Sequence, residues 1–98
     1  MEDPLQAVLE AVHDETSFLN FVAALADDFE REAALEAVAP SSPYGPGALG
    51  WENRTVNAVL EAAEAWARDS HGLPHLHPPG QNPWRRCAEI LYAGKYYE

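Results

Sequence analysis

Basic residues are scarce in this chain: six lysines and arginines stand against sixteen acids over 98 residues, for a formal net charge of −10. That shortage disfavours direct binding to nucleic acid, whose phosphates are held by clustered Lys and Arg. Cysteine is scarcer still. Cys87 is the only one, which excludes an internal disulfide and every multi-cysteine metal site. Its place on the apolar face of a helix points to a buried thiol and not to a nucleophile. Long apolar runs are missing, so no segment is suited to spanning a bilayer. The N-terminus carries acids where a secretory leader needs positive charge and then an apolar stretch, and the expected location is cytoplasmic. No Gly-Lys-Ser/Thr follows a strand, so there is no phosphate-cradling loop. No Ser/His/Asp arrangement is present, and no acid pair is isolated in apolar surroundings. No catalytic residue and no cofactor is therefore expected.

What remains is apolar and helical in pattern. Hydrophobic residues make up 47% of the chain, enough for one globular domain over residues 1–98. The expected fold is all-α: a small single-domain bundle of four or five helices near residues 4–13, 15–38, 55–70 and 83–96. Residues 39–50 and 71–82 are expected to be long Pro/Gly-rich loops, and residues 1–13 either pack on the core or hold to it loosely. The start signals are clear. Asp3-Pro4 and Asn82-Pro83 each pair an N-cap with a proline whose missing N–H costs nothing at the first helical position. Asp14 is placed to cap a second helix, and Asn53 or Thr55 a third.

The apolar stripes follow those caps. Phe18, Phe21, Val22, Leu25 and Phe29 share a face in the second helix; Val56, Val59, Leu60, Ala63 and Trp66 share one in the third. Trp84, Cys87, Ala88 and Leu91 do so in the last. Phe18, Phe21, Leu25, Leu60, Trp66, Trp84 and Leu91 are expected to be buried together. Trp51, just before the third helix, is expected to staple the chain where it enters that helix.

Charge is placed unevenly: residues 1–50 hold ten acids against one base, Arg31. Asp27, Asp28, Glu30, Glu32 and Glu36 are expected to form the outer surface of the second helix. Asp28, Glu32 and Glu36 make an i, i+4 ladder of like charge, which costs a helix a few tenths of a kcal/mol per pair, on the order of 0.2–0.5. Such a face is either solvated or a docking surface. His71, His75 and His77 fall within seven residues and are candidate metal ligands, with Asp69 beside them. The proline-rich setting offers them no complete ligand set, so no metal is expected.

Several short motifs resemble a family of small uncharacterised bacterial proteins, a domain of unknown function. They are Phe18-Leu19-Asn20-Phe21, Trp51-Glu52-Asn53-Arg54-Thr55, Ala65-Trp66, Asn82-Pro83-Trp84, Ala88 through Ala93, and Tyr97-Glu98. The resemblance covers most of residues 17–98 and departs at Gly94, where alanine is usual, and in a longer connection from Asp28 to Trp51. It implies a helical fold with tryptophans in the core and brings no catalytic residue with it.

On these grounds the expected function is a non-enzymatic acidic binding protein, in the manner of an immunity protein or antitoxin, that occupies a basic protein partner. Asp27, Asp28, Glu32 and Glu36 would face the partner, with Tyr44 and Tyr96 as aromatic anchors. The alternatives are an inhibitor that mimics nucleic acid to occupy a DNA-binding protein, and a small enzyme or metal-binding protein built on the histidine loop. The sequence sets no oligomeric state.

Overall fold

Four α-helices carry the fold: α1 (Pro4–Glu10), α2 (Glu15–Val38), α3 (Val56–Ser70) and α4 (Pro83–Tyr96). The computed structural model describes residues 3–98, and no strand occurs among them. Residues 1–2 of the expected N-terminal segment lie outside the described residues. None of the four helices is long and apolar enough to cross a membrane.

Each helix begins where its cap dictates. Asp3 and Asn82 accept hydrogen bonds from first-turn N–H groups ahead of Pro4 and Pro83, and the Thr55 hydroxyl accepts from Ala58 N–H. Asp14 and Ser17 form a reciprocal capping box. The Ser17 hydroxyl also accepts from the N–H of both His13 and Asp14. That arrangement claims residues 13–14 for α2, so α1 closes at Glu10 and not at residue 13.

The N-terminal helix is packed down. Leu5, Leu9 and Val12 are buried, and the Tyr92 hydroxyl donates to the Asp3 carboxylate at 2.7 Å. Leu9 and Val12 join Phe21 and Ala88 in the main core, with Phe18, Leu25, Leu91 and Tyr92 packed around them.

Helix α4 is the common neighbour. It packs against α1, α2 and α3, whereas no Cα of α2 comes within 8 Å of one in α3. The departure at Gly94 has a steric reason: a Cβ there would lie 2.8 Å from Val59 Cγ1 and 2.9 Å from the Val59 carbonyl oxygen. Glycine thus allows α3 to press closely on α4.

The separation of α2 from α3 corrects part of the expected core. Phe21 and Trp66 are buried, but Leu60 is 59% exposed and Trp84 is 38% exposed. The α3 stripe is wider than one neighbour can cover. Val59, Ala63 and Trp66 turn toward α4, and Val56 and Leu60 face a gap. Cys87, expected to be buried, is exposed as well. It lies one turn before Leu91 on the same side of α4, where no helix covers it.

Candidate protein-binding site

Two neighbouring regions hold the residues that carry charge and unspent apolar surface. The first is a polar clasp at the C-terminal half of α2. Asp28 is buried, and its Oδ2 accepts from Trp51 Nε1 at 2.9 Å and from Lys95 Nζ at 2.8 Å. One turn on, Glu32 is buried and its Oε1 accepts from the backbone N–H of Leu49 and of Trp51. A further turn on, Glu36 accepts from Ser41 N–H through one oxygen and Ala48 N–H through the other. Arg54 lies 3.8 Å from Glu32 and 3.6 Å from Glu36. The hydroxyl and N–H of Ser41, the N–H of Ala48 and the Arg54 charge hold the Glu36 carboxyl below the ordinary glutamate range.

These contacts correct the expected outer face. Asp28, Glu32 and Glu36 do not present their charge to solvent; Asp28 holds the Trp51 indole and Lys95, and Glu32 and Glu36 gather the backbone of residues 39–55, which has no helix or strand to satisfy it. The spacing explains why. Phe21, Leu25, Asp28, Glu32 and Glu36 follow one another at steps of 4, 3, 4 and 4, a single helical face, so the acids continue the apolar stripe. Gly47 is fitted into the clasp, since a Cβ there would sit 2.4 Å from the Glu32 carboxyl. Beyond it, Glu52 and Asn53 donate their N–H groups to the Lys95 carbonyl, and the Asn53 side chain donates to the carbonyls of Gly94 and Tyr97. Glu52 and Asn53 therefore tie the start of α3 to the end of α4, while Trp51 is held by α2.

The second region is a groove. Trp51 stands between α2 and α4, edge-on to Phe29 at 4.9 Å, and forms the closed end of the space between α2 and α3. From there the groove runs past Val22 and Leu25 on one side and Val56 and Leu60 on the other, over Leu91, with a volume of about 330 Å³. Its lining is almost wholly apolar. Val56 is 78% exposed, and covering a side chain of this size gains about 1.5–3 kcal/mol.

The other residues singled out by sequence are dispersed. Asp27 is exposed on α2, apart from the clasp. Tyr44 is 97% exposed in the 39–55 connection, and Tyr96 is partly exposed beside Tyr92, on a different hollow from the groove. The rings of His71 and His77 lie 5.4 Å apart, tilted by 49°, next to Arg68 and Arg86, whereas His75 lines the hollow with Tyr96. Arg86 itself lies over Trp66 and donates to the Ala67 carbonyl. Asp69 accepts from the Tyr97 hydroxyl. No group of three or more His, Cys, Asp or Glu able to hold a metal ion occurs among the described residues.

The fold and these two regions define an all-α domain with a buried polar clasp and an open apolar groove. The chain belongs to the family of unknown function DUF7660, whose model matches residues 14–98. The match begins at the Asp14 cap and takes in α2, α3, α4 and both connections. No curated protein and no solved structure matches the chain.

Proposed function

We propose that this domain is a non-enzymatic binding protein that occupies a basic protein partner, such as a toxin or another nucleic-acid-binding protein. The observation that carries the reading is the apolar groove between α2 and α3 in a chain of net charge −10. Contiguous exposed apolar surface marks an interaction site, and a strongly acidic field steers a cationic partner toward it. With Asp28 and Glu32 engaged in the clasp, the acids left to attract a partner are exposed ones such as Asp27, Glu30, Glu61 and Glu64. Tyr44 and Tyr96 remain available as aromatic contacts at the edges of the domain.

The test is to recover the partner with the tagged protein from its native host, purify it, and follow association by stopped flow at several salt concentrations. A partner of net positive charge whose association slows steeply with salt supports the proposal. An acidic partner, or association indifferent to salt, contradicts it.

A further inference from the structure

We infer that the groove receives one amphipathic α-helix of the partner, about two turns in contact, with an apolar face turned inward and Lys or Arg along both edges. The inference rests on the binding function proposed above and specifies the partner's chemistry. Packed helices lie about 8–10 Å apart. Helices α2 and α3 each pack on α4 and stand clear of one another, so the apolar space over Leu91, about 330 Å³, is open to the side chains of a further helix. Val22 to Phe29 spans about 10 Å of helix axis, which sets the length of the apolar contact.

Charge selects the occupant. Glu30 is exposed on α2, next in sequence to Phe29, and Glu61 and Glu64 are exposed on α3, beside and one turn beyond Leu60. The cations on this side are engaged: Arg54 at the mouth by Glu32 and Glu36, and Arg68 by Glu64 at 3.0 Å. A helix with basic edges is drawn by the exposed Glu30, one turn beyond Ala26 on the α2 edge, and by the field of a chain of net charge −10. A second copy of this chain would bring another net charge of −10 against the first, so self-association is opposed by the same field.

The experiment uses the full chain and three synthetic helical peptides. The first has leucine at i, i+3, i+4 and i+7 and lysine at the edges, the second replaces lysine by glutamate, and the third shuffles the first. Binding is followed by amide chemical shifts of the ¹⁵N-labelled protein, and sedimentation records its mass. The lysine-edged peptide is expected to bind at least tenfold more tightly than either control, shifting Val22, Leu25, Val56 and Leu60. Leu60→Glu should remove that binding without changing the rest of the spectrum. Equal binding of the shuffled peptide overturns the groove inference and leaves the basic-partner proposal standing. Equal binding of the glutamate-edged peptide contradicts both. Failure of all three peptides to bind overturns the inference, as does a dilution-dependent dimer that shifts the groove residues.

Discussion

One helix supplies both the clasp and the groove, and the two faces invert the usual expectations. Along its inward face α2 carries Asp28, Glu32 and Glu36, charged and covered. Along the edge that looks toward α3 it carries Leu19, Val22 and Ala26, apolar and exposed. The inversion follows from what each face meets. An irregular connection arrives with unpaired N–H groups, and carboxylates satisfy them more strongly than neutral acceptors. The opposite edge meets nothing, because Glu52 and Asn53 have fixed the start of α3 on α4. A buried charge here is a loop anchor, and an exposed leucine is surface held for something else.

The largest loss is expected at Trp51. Trp51→Ala removes the wall between clasp and groove and leaves Asp28 with one partner fewer. It should cost about 3–5 kcal/mol in urea denaturation. A cost near that of a surface change would mean that the wedge is not structural. A smaller effect is expected at Gly47. Gly47→Ala places a methyl group against the Glu32 carboxyl, and overpacking of that kind costs about 1–3 kcal/mol. A shift in the denaturation midpoint without a change in slope would identify it as a stability effect.

The caps and helices were readable in the chain, because Asp3-Pro4, Asp14, Thr55 and Asn82-Pro83 act through local hydrogen bonds that need no tertiary context. The clasp was not, although its signal was present in the phase that joins Phe21 and Leu25 to Asp28 and Glu32. Charge argues for solvent at those positions and helical phase argues for the interior, and phase prevails because the connection supplies donors for the carboxylates. Leu60 failed in the opposite sense, since a stripe shows which side of a helix is apolar and not how much of it a neighbour will cover. The donors that demanded the acids, Leu49, Trp51, Ser41 and Ala48, belong to backbone whose path is set only by folding.

Acid sharpens the contrast further. The folded Glu36 carboxyl titrates below its ordinary range, so its contribution is present in full above the unfolded value, about 4.3. That contribution fades as pH falls through the lower folded value. Glu36→Gln should lower stability at neutral pH, where that contribution is complete, and flatten the stability–pH curve in the acid window. Leu60→Glu gives the smallest change, within about 0.5 kcal/mol, because the side chain is already exposed. A large loss of thermal stability in that variant would show Leu60 to be core and the groove to be closed.

The α2 carboxylates hold the 39–55 connection from within. Amide hydrogen exchange tests it most directly, at the N–H groups of Leu49 and Trp51, which donate to the Glu32 carboxylate at 2.9 and 3.1 Å. Neither residue lies in a helix or strand, so protection there must come from the clasp. The expected result is slow exchange at both amides in the native protein, lost together in Glu32→Ala while the amides of α4 stay protected. Exchange at unstructured-chain rates in the native protein would contradict it and return Glu32 to the solvent-facing surface.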